Sequence, residues 1–164
     1  MMRVIGIDPG LRVTGYGVID YLNGAYKVVD AGIIKVSPDQ PMNKRLLAIY
    51  NDFKEIIDEH HPDILAIEEL YAHYAHPKTA IMMGHARGIF LMAAAQINMH
   101  VDDFSATRIK KSLIGYGRAS KEQMQQAVAG QLKLSQLPTP NDVADALAIA
   151  ICCINEHQRE NLIL

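Results

Sequence analysis

Four carboxylates carry the strongest chemical signal in the chain: Asp8 in VIGIDPG, Glu68 in ILAIEELY, and Asp142 and Asp145 in NDVADALAIA. The first two end apolar, strand-like runs. The other two open an apolar helix, and their i, i+3 spacing puts them on one helix face. A βα fold can gather all four at one sheet edge, where carboxylates repel one another unless hard cations bind between them. Mg²⁺ takes oxygen ligands, and two such ions roughly 3.5–4 Å apart are a common apparatus for breaking phosphodiesters.

Each acid also has a local explanation. Asp8 precedes Pro9 and Gly10 and reads as a turn aspartate. Glu68 fits a salt bridge, and Glu69 points the other way if the strand continues, which makes it structural. Acids in a first helical turn favour the helix dipole. That accounts for Asp142 better than for Asp145, which lies among Val143, Ala144, Ala146 and Leu147. An acid in so apolar a stretch needs a partner, and a metal supplies one.

The elements that must position these residues follow from periodicity and turn signals. Arg3 to Asp8 is a β-branched run ending in Asp-Pro-Gly, and Thr14 to Asp20 is a second strand. Asn23-Gly24 is a hairpin signal leading to a third strand, Tyr26 to Val36. Asn43 to His60 has the helical period and stops at Pro62. Ile64 to Ile67 is a buried strand that delivers Glu68. Pro77 to Ile97 is a helix apolar nearly all round, so it is buried on more than one side, with part of it facing a second subunit. Met99 to Phe104 is a fifth strand and Ala106 to Ile114 a short basic helix. Ser120 and Gln123 form a capping box for a helix to about Gln131. The last helix runs from about Asn141 to His157. The sum is an α/β chain with a mixed five-stranded sheet flanked by helices.

With 164 residues, 49% of them apolar and 21% charged, the chain fits one domain spanning 1–164. No signal-peptide hydrophobic region opens it, and its longest weakly polar stretch, Ala86 to Ile97, is too short to span a bilayer. Adjacent Cys152 and Cys153 cannot pair with each other and read as small buried hydrophobes. A soluble cytoplasmic protein is expected. The net charge of −2 conceals an uneven distribution. Ser105 to Lys121 has no acid and carries Arg108, Lys110, Lys111, Arg118 and Lys121, a local basic patch or a solvated helix face.

Several segments together resemble a known family. GIDPGLRVTGYGVI at 6–19, AIEELY at 66–71, GHARG at 84–88, IKKSLIGYGRASK at 109–121 and NDVADALAIA at 141–150 look like the RuvC family of bacterial Holliday-junction resolvases. The segments fall in the family's order and span almost the whole chain. The resemblance implies a ribonuclease H-like fold and a homodimeric, Mg²⁺-dependent endonuclease that nicks two opposed strands of a four-way DNA junction symmetrically. It implies 5′-phosphate and 3′-hydroxyl ends, with two ions per active site and Mn²⁺ able to substitute. The active-site positions map to Asp8, Glu68, Asp142 and Asp145, both as catalytic residues and as metal ligands. Tyr71 takes the position of an aromatic residue that stacks on an unpaired base at the junction centre. Lys110 and Lys121 take those of DNA-contacting lysines, and Arg108, Lys111 and Arg118 join them as DNA-binding candidates. The helix through GHARG is the family's dimer helix, and RuvA and RuvB are the family's branch-migration partners.

The chain departs from the family where Glu69 and His85 replace the usual glutamines. The third carboxylate position is His in some members, and Asp142 makes this site all-carboxylate, which favours Mg²⁺ or Mn²⁺ over softer metals. His73, His76, His85 and His100 show no HExxH or comparable ligand spacing, so surface, packing or DNA-facing roles are expected of them. The nearest alternative function is an RNA-processing nuclease of the related YqgF type. An actin-like ATPase or sugar kinase would need two such domains. A non-catalytic junction-binding module would leave the four acids without a reason.

Overall fold

The structure, a computed structural model, describes residues 1–70 and 77–163. Strands β1 (Met2–Asp8), β2 (Val13–Leu22) and β3 (Ala25–Lys35) come first. They are followed by α1 (Met42–His60), β4 (Ile64–Glu68), α2 (Pro77–Gln96), β5 (His100–Phe104), α3 (Ala106–Ile114), α4 (Lys121–Gln131) and α5 (Asn141–Ile163). The five strands form one sheet in the order β3-β2-β1-β4-β5. β1, β2 and β3 are an antiparallel meander, whereas β4 pairs parallel with both β1 and β5.

The expected mixed sheet is therefore present, and its turns use the expected chemistry. Asn23 and Gly24 both adopt positive φ, at 50° and 81°, the pair of left-handed residues that a two-residue hairpin of matching twist requires. Ser120 accepts from the Gln123 amide at 3.2 Å while the Gln123 side chain accepts from the Ser120 amide at 2.8 Å, closing the capping box on α4. The last helix differs from expectation. It continues past His157 to Ile163, because Gln158, Arg159 and Glu160 are good helix formers and Arg159 pairs with Glu156 one turn back at 3.5 Å.

Alternation along the strands sorts the core into two layers. Ile5 and Ile7 of β1, with Leu65 and Ile67 of β4, face α1 and α2 and pack with Ile49, Phe53 and Phe90. The Phe53 and Phe90 rings meet edge to face at 4.9 Å. Val4 of β1 and Ile64 and Ala66 of β4 face the other way, onto α5. Residues Ala146 to Ile154 of α5 are all buried, because this helix is sandwiched between the sheet and α3 and α4. Burying each such Leu or Ile contributes about 1.5–3 kcal/mol. Among the described residues, no helix is long and apolar enough to cross a membrane.

Candidate active site

Strand parity sets the geometry of the acids. Asp8 shares a face with Val4 and Gly6, and Glu68 shares one with Ile64 and Ala66, so both point toward α5. The parallel register ends at Ile7 opposite Ile67. Asp8 and Glu68 are the next residues on each strand, at the carboxyl ends of adjacent parallel strands roughly 4.8 Å apart. Open α/β sheets place their ligands at such ends. Asp8 also pairs across β2 with Gly15.

Glycines on that face bring α5 close enough to add its own acids. A Cβ on Gly15 would lie 1.9 Å from the Asp142 carbonyl oxygen, and one on Gly6 would lie 2.1 Å from the Ala146 carbonyl oxygen. A Cβ on Gly17 would lie 2.6 Å from the Leu147 side chain. The first turns of α5 thus rest directly on strand backbone, bringing Asp142 and Asp145 alongside Asp8. The sequence reading missed these glycines. The alternating Gly15 and Gly17 in VTGYGVI signal a strand face with no side chains.

The turn carrying Asp8 is braced as well. Buried Thr14 donates to the Gly10 carbonyl at 2.7 Å and accepts from the Gly10 amide at 3.1 Å. Buried Arg45 of α1 donates to the Leu11 carbonyl at 2.8 Å. Arg87 of α2, within the GHARG segment, donates to the Glu68 carbonyl at 3.2 Å and pairs with Asp103. The Glu69 amide donates to the Phe104 carbonyl at 3.0 Å, and the Glu69 side chain is exposed. The strand end that presents Glu68 is held from both sides.

These carboxylates sit uneasily without compensation. Burial pushes Asp8 up to about 8, and the charges of Asp145, Glu68 and Asp142 add to the effect, while Lys121 opposes it. Burial and the Asp145 charge raise Glu68, with Lys110 opposing. Asp145 is raised chiefly by burial, against the pull of Lys121 and Lys110. Asp8 is therefore within electrostatic reach of the other three acids, and Lys110 and Lys121 face the group. Glu68, Asp145, Lys110 and Lys121 line one pocket, whose apolar floor includes Ile109, Met124 and Ala148.

The basic patch divides around α3. Lys110 and Lys121 turn to the acids, whereas Arg108 and Lys111 flank a separate depression with Glu156 and Arg159. Arg108 is ion-paired to Glu156 at 2.9 Å and lies 5.2 Å from the Phe104 ring centre. Arg118 is exposed in the α3–α4 connection. Tyr71, His73 and His76 lie outside the described residues, and His85 is exposed on α2. The cysteines are buried as expected.

The four carboxylates are not drawn into a tight ligand cluster. Among the described residues, only His100, Asp102 and His157 bring three ligand atoms within 4.8 Å of one another. The sequence groups His100 with His73, His76 and His85 but not with His157, which is 57 residues away and on a helix rather than a strand.

Known proteins match this chain along most of its length. The family described as crossover junction endodeoxyribonuclease RuvC matches residues 4–153. The proteins of that name from Alkaliphilus oremlandii and Caldicellulosiruptor saccharolyticus are 44% and 46% identical to it, the alignments covering 92% and 93% of this chain and 92% of each relative. A solved structure titled T. thermophilus RuvC in complex with Holliday junction substrate superposes with a TM-score of 0.92 at 31% identity, covering 98% of this chain and 97% of that one. These likenesses do not favour the YqgF-type alternative. With a family match across the sheet and α5, and with relatives this similar over nearly their full lengths, the chain belongs to the RuvC family of crossover junction endodeoxyribonucleases.

Proposed function

We propose that this protein cuts four-way DNA junctions by metal-dependent hydrolysis, with the pocket at the ends of β1 and β4 as its active site. The observation that carries this reading is Asp8, half-buried among three further carboxylates and pushed up to about 8, with Lys110 and Lys121 across the pocket from its neighbours. Four carboxylates that form no ion pair with a Lys, Arg or His among the described residues are a donor set for a hard divalent ion. Asp8, Glu68, Asp142 and Asp145 would hold Mg²⁺, with Mn²⁺ as a substitute. A pair of such ions, bound there, supplies Lewis-acid activation of water and stabilises the departing oxygen.

The chain's own groups do the rest. Lys110 and Lys121 hold the phosphate oxygens on either side of the cut and offset the negative charge of the pocket. Water adds at phosphorus as the bond to the 3′-oxygen breaks, which leaves a 5′-phosphate and a 3′-hydroxyl. Tyr71 follows β4 by three residues and stacks on an unpaired base at the junction centre. Arg108, Lys111 and Arg118 extend the phosphate-binding surface outward from α3.

A second copy of the chain completes the reading. The face of α2 turned away from the core carries Ile81, His85, Gly88, Met92 and Ala95, at heptad-like spacing. Ile81 and Met92 are 62% and 46% exposed, and Gly88 has open space where a Cβ would stand. Two such faces packed about a two-fold axis present two pockets to two opposed strands. RuvA and RuvB are the partners that this reading assigns to the dimer in the cytoplasm.

The test is cleavage of a labelled four-way junction beside a matched linear duplex, with Mg²⁺ or with EDTA, for the wild-type protein and Glu68→Gln. Paired symmetric nicks in the junction alone are expected, lost with EDTA and in the variant. Binding without cutting in both Mg²⁺ and Mn²⁺ would reduce the protein to a junction-binding module, and equal cutting of RNA or duplex would overturn the substrate.

A further inference from the structure

The face of β5 that looks toward α5 presents His100 and Asp102, two residues apart. The facing surface of α5 presents Cys153 and His157, one helical turn apart. The two pairs meet. His100 Nε2 lies 2.9 Å from Asp102 Oδ1, and His157 Nε2 lies 2.7 Å from Asp102 Oδ2. Cys153 Sγ lies 3.5 Å from the same Oδ2. The imidazoles stand nearly perpendicular, at 80°, with ring centres 6.2 Å apart. They open into a depression to which Asp103, Glu156 and Glu160 add carboxylates against the single guanidinium of Arg108.

From this geometry we infer a second metal site, distinct from the acidic pocket, in which His100, Asp102 and His157 bind one Zn²⁺. Two imidazole nitrogens and a carboxylate oxygen, with a water in the remaining position, are a donor set for zinc and its borderline neighbours. They are a poor one for Mg²⁺, which prefers oxygen alone. Ligand atoms about 2.0–2.1 Å from a tetrahedral ion are roughly 3.3 Å apart. The observed 2.7 and 2.9 Å separations, to the two different oxygens of Asp102, need to open by about half an ångström, and all three ligand atoms already lie within 4.8 Å of one another, so side-chain rotation suffices to gather them. Asp102 and His157 are half-buried, and His100 is exposed and free to swing.

The position argues for a structural ion. Along α5, His157 is 12 residues beyond Asp145, about 18 Å at 1.5 Å per residue. The site joins an edge strand to the far half of the central helix. β5 leads directly into α3, which carries Lys110, so pinning β5 steadies one wall of the acidic pocket without touching the reacting groups.

The experiment uses the full chain, stripped with EDTA and titrated with Zn²⁺ calorimetrically and with Co²⁺ by visible absorption. Tight binding of about one Zn²⁺ per chain is expected in the wild type and in Asp8→Asn. Millimolar Mg²⁺ should not displace the ion, and Co²⁺ should show the intense d–d bands of a four-coordinate complex. His157→Gln and His100→Gln should each weaken Zn²⁺ binding on the order of 100-fold or more and abolish the rise in Tm that Zn²⁺ gives the wild type. Both should still cut junctions in Mg²⁺. If His157→Gln fails to fold, His100→Gln, at an exposed edge position, decides. Unchanged Zn²⁺ affinity in a folded variant, or loss of binding in Asp8→Asn instead, would overturn the site. So would absence of tight binding in the wild type, which would leave a carboxylate bridging two imidazoles through protons alone.

Discussion

Asp8, when it ionises in the absence of metal, becomes a half-buried charge facing three other carboxylates, and this has a measurable consequence for stability. Its folded value of about 8 lies well above the roughly 3.9 of an unfolded aspartate. Between these values the folded chain holds a proton that the unfolded chain has released, so stability falls as pH rises through that window. Above it the penalty is complete, and below it the penalty vanishes. In EDTA the wild type should therefore melt lower at about pH 8 than at about pH 5. Asp8→Asn should remove most of that slope and gain a few kcal/mol at the higher pH. Thermal melts of both proteins at the two pH values check this, and a lower-melting Asp8→Asn at about pH 8 would contradict it. The lysines opposite make a second prediction. Lys110→Ala and Lys121→Ala should each weaken junction binding whatever the sequence and reduce the salt dependence of log K by about one unit. Arg108→Ala, which first breaks an ion pair to Glu156, should change that slope less. Binding isotherms over a salt series separate them.

At the level of elements, the seat of α5 on β1 and β2 decides how near Asp142 and Asp145 come to Asp8. Gly15 and Gly17 occupy the same strand face, yet substitutions there should differ. Alanine at Gly15 drives its Cβ into the Asp142 main chain, which can yield only by moving the helix start. Alanine at Gly17 meets the Leu147 side chain, which can rotate. Gly15→Ala should cost about 1–3 kcal/mol and most of the cleavage activity while retaining junction binding, and Gly17→Ala should be milder on both counts. Melting temperatures read alongside single-turnover cleavage test the pair. Arg87 is the other connection at this scale. It ties α2 to the carbonyl of Glu68 and to Asp103, so Arg87→Ala should lower the cleavage rate more than it lowers junction affinity.

For the whole molecule, the dimer proposed above rests on the exposed stripe of α2. Ile81→Glu sets a charge on the exposed stripe and leaves the buried face, Ala86, Phe90, Ala93 and Ala94, untouched. The variant should keep its fold by circular dichroism, sediment as a monomer at micromolar concentration, and lose paired nicking of the junction. A dimer of unchanged stability would move the interface elsewhere.

Most of the architecture was written locally. Asn23-Gly24, the Ser120–Gln123 capping box, the apolar period of α1 and the β-branched runs of β1 and β4 each act within a few residues, so their elements could be read off the chain. The candidate acids were legible for a similar reason: a charge at the end of an apolar strand, or inside an apolar helix, is costly unless something nearby uses it. Tertiary structure alone decided the rest. Whether α5 could approach the sheet depended on missing side chains at Gly6, Gly15 and Gly17, which become a helix seat only once β1 and β2 pair. Lys110 of α3 and Lys121 of α4 turned to the acids while Arg108 and Lys111 of α3 turned away, because only packing decides which flank of each helix meets the pocket. His100, Asp102 and His157 became neighbours because an edge strand met the far half of a central helix. Local chemistry writes the elements, and the contacts between residues far apart in the chain are settled only when those elements pack.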